Sequence, residues 1–182
     1  MNTSNDPLWP HFVPLWNELH ELGAGEILIA GGYGLFLKQQ WLRERPDQAI
    51  VIPLGQWLDG VPRVTDDFDF VLDLDLIADG ERNRSVFEIL QRNGFAVTEK
   101  RIGKRWRFEK PVSDRQLVIA ELHAPTPKTN AQNLRTEKIR IKHKPSLGDQ
   151  GIHGRHNPEA LGSGMRAFRF ESVEVDLAVP NP

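Results

Sequence analysis

The segment RVTDDFDFVLDLDLI, from Arg63 to Ile77, carries five aspartates inside a run of large apolar residues. Its alternation predicts a strand with Phe68, Phe70, Leu72 and Leu74 on one face. Read as a strand throughout, it places Asp67, Asp69, Asp73 and Asp75 on the other face. So apolar a strand packs on a core, and carboxylates held near a core need cations, hydrogen bonds or water. That requirement constrains the sheet and whatever is built on it.

Spacing divides the four aspartates. Same-face neighbours on a strand lie about 6.6 Å apart. Paired catalytic metals sit about 3.5–4 Å apart, with Mg–O bonds of roughly 2.0–2.1 Å. Carboxylates at i and i+2 can flank such a pair, as Asp67 and Asp69 would. Asp73 lies about 13 Å beyond Asp69 on an extended chain, so all four cannot share one cluster. A calcium loop of the EF-hand type is a poor fit. Counted from Asp73, Ile77 takes an acidic position and Ala78 the glycine position; counted from Asp67, Leu72 takes the glycine position. A solvated acidic face explains the aspartates without any site, and spacing alone leaves both readings open. Asp73 and Asp75 also suit the entry to a following helix.

Composition narrows the field. A chain of 182 residues suits one domain with a real core. A formal charge of -2 gives no global pull toward nucleic acid or membrane, so any such contact needs a local patch. With no cysteine, disulfides and thiolate metal sites are excluded. The first residues, MNTSNDPLWPHFVPLW, lack the basic and apolar regions of a signal peptide. No apolar run approaches the roughly 20 residues that span a bilayer. A soluble, cytoplasmic protein is the default expectation.

The chain shows no internal repeat. PLWNELHELGAG predicts a short helix ending at Gly23 or Gly25. EILIAGG predicts a buried strand closed by Gly31 and Gly32, and YGLFLKQQWLRER a helix starting on that pair. AIVI is a candidate short strand. ERNRSVFEILQRNG predicts a helix with Val86, Ile89 and Leu90 inward and Gly94 as its stop. FAVTEKRIGKRWRFEKP predicts a hairpin turning near Gly103, and RQLVIAELHAP a strand. Alternation there puts Leu117, Ile119 and Glu121 on one face and Val118, Ala120 and Leu122 on the other. From Pro125 to Gly164 the chain is polar and basic, read as loops with one short strand at KIRIKHK; AFRFESVEVDLAV reads as a final strand pair. The expected fold class is α/β or α+β, with a mixed β-sheet flanked by helices.

The glycine pair in IAGGYGLF suits phosphate, since glycines allow close backbone approach and the first helical N–H groups point outward. It is neither the dinucleotide fingerprint nor a Walker loop, and a plain tight turn explains it equally. Joined to the aspartate strand it says more. A strand, a Gly-Gly turn, a helix, then R-x-T-x-D-x-D resembles the nucleotidyltransferase superfamily with the polymerase-β-type fold. AGGYG with RVTDDFDF is most similar to the branch of AbiEii/AbiGii-type toxins. VIAELHAP matches the strand of the family's third carboxylate, with Glu121 in place of the more usual aspartate. The resemblance covers roughly residues 26–125, plus the terminal VPNP, which in the family leads into a helical part. It implies one nucleotidyltransferase-like domain over residues 1–182 that lacks this part.

The resemblance implies that Asp67, Asp69 and Glu121 hold two Mg²⁺ ions and that Glu121 helps to activate the attacking hydroxyl. Gly31 and Gly32 would bind the phosphates of a nucleoside triphosphate. Arg63 and Thr65 would orient Asp67 or touch phosphate, or simply anchor the strand entry. The acceptor would be tRNA or another RNA, or a protein, and an antitoxin protein would be a partner. The longer Glu121 side chain and the absent helical part motivate an alternative, a nucleotide-binding or interaction domain of the same fold without transfer activity.

Two further groups stand out. Lys100, Arg101, Lys104, Arg105 and Arg107 interleave with Trp106 and Phe108, and a second basic group runs from Lys128 to Lys144. Basic residues with aromatics suit an RNA or nucleotide channel, and equally a solvated hairpin with its aromatics in the core. His153, Arg155 and His156 fall in a glycine-rich stretch. The histidine pair suits a metal but lacks an evident third ligand, which favours a substrate-facing or plain surface loop. No Ser/His/Asp arrangement stands out, and Ser163 lacks the full nucleophile-elbow pattern, which argues against a hydrolase.

Overall fold

The computed structural model describes residues 6–43, 67–97, 106–127, 133–137, 140–143, 151–155, 167–171 and 176–180. Over these it is a mixed α/β structure with an open mixed sheet flanked by helices. The expectations at AIVI, Gly103, Arg63 and Thr65 lie outside the described residues.

Helix α1 (Trp9–Leu22) starts with a proline in its first turn, where the missing N–H costs nothing. Before it, the Asp6 carboxylate accepts hydrogen bonds from the Leu8 N–H at 2.9 Å and the Tyr33 hydroxyl at 2.6 Å. Phe12, Leu15, Trp16 and Leu19 form its buried stripe. Strand β1 (Ile27–Ala30) follows, and α2 (Gly31–Arg43) begins at the glycine pair itself. Gly34 lets α2 lie on β1, since a β-carbon there would stand 2.7 Å from the Ile29 carbonyl oxygen.

Strand β2 spans Asp67–Leu72 and ends before Asp73. The Asp73 side chain caps the short helix α3 (Leu74–Ala78), accepting from the Asp75 N–H at 2.9 Å, and Asp75 sits in that helix's first turn. The strand reading therefore holds for Asp67 and Asp69, while Asp73 and Asp75 serve the helix entry. Helix α4 (Gly80–Arg92) is capped by Asp79 and buries Val86, Phe87, Ile89 and Leu90. It ends in a Schellman motif: the Gly94 N–H donates to Gln91 and the Phe95 N–H to Leu90, both at 2.9 Å, with Gly94 at φ 83°.

Strand β3 (Ala96–Val97) pairs with β4 (Arg107–Ser113), which turns back into β5 (Gln116–Pro125). The polar region, expected as loops with one strand, contributes three strands among its described residues: β6 (Leu134–Glu137), β7 (Arg140–His143) and β8 (Ile152–Arg155). They are only four residues long, too short for a visible alternation. Strands β9 (Ala167–Glu171) and β10 (Asp176–Pro180) form the expected final pair, a separate two-stranded sheet.

Strand β2 has β1 antiparallel on one side and β5 parallel on the other. Because β2 lies along residues 119–123 of β5, strands β4 and β8 share the opposite edge of β5 in succession. Strand β7 pairs with β8, and β6 with β7. One face of this sheet is the core: Phe68, Phe70, Leu72, Phe108, Val118, Ala120 and Leu122 join buried residues from α1, α2, α3 and α4. Phe12 packs edge-on to Phe68 at 5.4 Å between ring centroids and stacks over Phe70 at 6.5 Å.

Polar clasps tie the helices at the rim. Arg82 grips both oxygens of Glu26 and donates to the Leu22 carbonyl, joining α4 to the α1–β1 turn. Arg92 and Asn93 both donate to Glu18, linking the end of α4 to α1. The Arg92 bond, followed by that of Asn93, holds the Glu18 carboxyl below its ordinary value. Stability from this clasp is complete above the unfolded carboxylate range and is lost as pH falls through the lower folded value. Glu18→Gln should destabilise the protein at pH 7 by about 0.2–1 kcal/mol, as expected for an exposed clasp. In urea titrations the gap to wild type should close as pH is lowered toward the folded pKa.

Candidate metal centre

The parallel register of β2 and β5 assembles the site. Asp67 lies opposite Ile119, Asp69 opposite Glu121, and Val71 opposite His123. Register partners share a face of the pleat, so these residues lie opposite the Phe68/Phe70 core. Strand β4 brings Arg107 beside Glu121, and β8 brings His153 beside His123. On the other flank β1 ends with Ala30 opposite Asp69, and the glycine turn follows at once.

His123 is the hub. It is 2% exposed, and its Nε2 lies 2.9 Å from Asp69 Oδ1 and 3.7 Å from Glu121 Oε2. The Asp69 and Glu121 side chains are more accessible, at 20% and 17%. One potential ligand atom from each of the three falls within 4.8 Å of the others. Arg107 donates from Nη1 to Glu121 Oε1 at 3.3 Å and from Nε to Glu109 Oε1 at 3.2 Å. Trp106 stacks on His153 at 4.5 Å, and the His153 ring stands 5.4 Å from that of His123.

Gly31 has φ 64°, a left-handed conformation that favours glycine. A β-carbon there would collide with Asp69 Oδ2 and stand 2.8 Å from Asp69 Cγ. The glycine turn and the aspartate strand thus meet where only a hydrogen atom fits. Gly32 follows, exposed, in the first turn of α2.

Of the sequence-derived candidates, Asp69 and Glu121 come together, and Gly31 touches Asp69. Asp67 shares their face but stands outside the trio that includes His123. Burial, then the charges of Asp69 and Glu121, push the Asp67 carboxyl above its ordinary value, against an opposing pull from Arg107. His123 was not among the candidates, although it follows Glu121 by two residues in ELH, the period that put Glu121 on this face. By sequence Arg107 groups with the basic hairpin, yet it turns to Glu121, while Trp106 and Phe108 are buried. Lys100, Arg101, Lys104, Arg105 and His156 lie outside the described residues.

The donor set fits a divalent cation. Two carboxylates and an imidazole converge, and the mutual repulsion of the acidic groups is the kind of strain a cation relieves. No family model, curated protein or solved structure matches the chain. No helix among the described residues is long and apolar enough to cross a membrane.

Two outcomes follow from this geometry. The raised Asp67 pKa means that ionising this carboxyl opposes folding, a cost absent below the unfolded pKa and complete above the folded one. In metal-free buffer at pH 7, Asp67→Asn should therefore melt higher than wild type, and the gap should vanish in acid. Gly31→Ala should cost about 1–3 kcal/mol through its backbone alone and displace the Asp69 carboxylate as well. Thermal denaturation measures the first effect, and the loss of divalent-cation binding at equal folded fraction measures the second.

Proposed function

We propose that this chain is a divalent-cation-dependent nucleotidyltransferase that moves a nucleoside monophosphate from a nucleoside triphosphate to an acceptor hydroxyl. The observation that carries the reading is the meeting of Gly31 with Asp69, two motifs distant in the chain. A helix start with bare glycines is suited to phosphate, and the carboxylates beside it are suited to the cations that accompany phosphate.

The residues then divide the work. Gly31 and Gly32 offer backbone N–H groups to the triphosphate. Asp69 and Glu121, with Asp67 beside them, would hold divalent metal. When bound, the metal offsets charge on the transferred phosphate and the leaving pyrophosphate. The acceptor oxygen bonds to the α-phosphorus as the bond to the β-phosphate bridge breaks and pyrophosphate departs. The acceptor proton passes to a site carboxylate, with Glu121 assigned by its place on β5. Arg107 keeps Glu121 oriented through Oε1. The resemblance would make Mg²⁺ the ion, RNA, including tRNA, the acceptor class, and an antitoxin-type protein the regulator.

One observation favours a second reading, nucleotide binding without transfer. Glu121 already has Arg107, and Asp69 already has His123, so protein groups partly supply what cations would. Incubation with α-labelled triphosphates, Mg²⁺ or Mn²⁺ and RNA separates the two. Transfer predicts labelled acceptor and released pyrophosphate, with a loss of at least about a hundredfold in Asp69→Ala. Equal labelling by wild type and Asp69→Ala would sink the enzymatic reading, and tight triphosphate binding without pyrophosphate release would establish the second.

A further inference from the structure

We infer that His123 is itself a metal ligand, so that the centre is a carboxylate–carboxylate–imidazole set that takes a first-row transition cation ahead of Mg²⁺. This rests on reading the site as a divalent-cation centre and goes beyond it by naming the third donor and the class of ion.

The distances suit a shared ion. Ligand atoms around one cation at roughly 2.0–2.2 Å stand about 3–4 Å from each other. His123 Nε2 is 2.9 Å from Asp69 Oδ1 and 3.7 Å from Glu121 Oε2, and the three residues meet within 4.8 Å. The glutamate's other oxygen, Oε1, is held by Arg107 at 3.3 Å, which leaves Oε2 as the oxygen nearer the imidazole. The Asp69 carboxylate is confined on its far side by Gly31. Both carboxylates are thus positioned with one oxygen toward His123.

Burial makes the imidazole a fixed donor. His123 is 2% exposed and has Val71 of β2 and His153 of β8 as its strand neighbours, with His153 backed by Trp106. The carboxylates are the more exposed members, so an ion is reached from their side. Mg²⁺ prefers oxygen donors and sheds water reluctantly, whereas imidazole suits the later first-row ions, whose affinities rise from Mn²⁺ through Co²⁺ to Cu²⁺. A single buried imidazole among carboxylates therefore shifts preference away from Mg²⁺. The competing arrangement is a His123 that keeps its hydrogen bond to Asp69 and admits no metal.

Metal-free protein titrated calorimetrically with Co²⁺, Mn²⁺ and Mg²⁺ in the absence of nucleotide tests this, with pulsed electron paramagnetic resonance of the Mn²⁺ complex. The expected results are Co²⁺ binding more than about tenfold tighter than Mg²⁺ and a directly coordinated nitrogen on Mn²⁺. That nitrogen coupling should disappear in His123→Gln, persist in His153→Gln and persist in Glu121→Gln. His123→Gln should weaken Co²⁺ by at least about tenfold and Mg²⁺ by less. Absence of Mn²⁺ and Co²⁺ binding, bound Mn²⁺ without nitrogen coupling, or coupling unchanged in His123→Gln would each overturn the inference. Should His123→Gln fail to fold by circular dichroism, the wild-type coupling decides, with its loss in His153→Gln counting against His123. Nucleotide transfer on Mg²⁺ without nitrogen coupling leaves the proposed function standing and removes this inference. Coupling without transfer does the reverse.

Discussion

The parallel register between β2 and β5 is the constraint on which the rest of this structure depends. It sets Asp69 against Glu121 and, two residues on, Val71 against His123. A strand's side chains alternate with a period of two, so one face collects the acidic and imidazole groups while the other collects Phe68, Phe70, Ala120 and Leu122. Slipping β5 by one residue would carry Glu121 and His123 into the core and expose Leu122. The burial of the apolar face therefore fixes the polar constellation: the site is held in place by the hydrophobic effect acting on the opposite side of the same two strands.

Close packing of the glycine turn adds a second fixed point. Gly34 lets α2 settle on the Ile29 carbonyl, and Gly31 in its left-handed conformation leaves the Asp69 carboxylate the space a β-carbon would take. Tyr33, between these glycines, is buried against Phe12 and Phe68, and its hydroxyl donates to Asp6 ahead of α1. The start of α2 is thus positioned from below by aromatic packing and from above by glycine's missing side chain. A helix terminus so held suits a preorganised binding position, because little remains to be ordered when a ligand arrives.

Much of this was legible in the sequence, for identifiable reasons. The alternation in VIAELHAP assigned Glu121 and Ala120 to opposite faces, and the helical period placed Val86, Ile89 and Leu90 inward, because both patterns run long enough to register. The limits were equally physical. Strand β2 stops at Leu72 because Asp73 caps the next helix, a local hydrogen bond that overrides continuation of the alternation. Strands β6, β7 and β8 are too short and too polar to show a period. His123 carries no local signal of its own, because one histidine in an apolar strand reads equally as a core residue. What marks it as part of the site is its parity with Glu121 together with a cross-strand register that no local pattern encodes.

The charge balance explains why the carboxylates are tolerated and why they are not equivalent. Glu121 has the Arg107 guanidinium, and Asp69 has the His123 imidazole. Asp67 shares the face two residues before Asp69, where burial and its acidic neighbours outweigh the influence of Arg107. A sheet face optimised only for stability would replace such a group with an uncharged one, since crowded carboxylates oppose folding unless a cation joins them. Retaining two carboxylates at one imidazole and a third, Asp67, on the same face leaves the fold with electrostatic strain concentrated at one place. Binding a divalent cation would relieve that strain, so ion occupancy and stability are expected to rise together at this site.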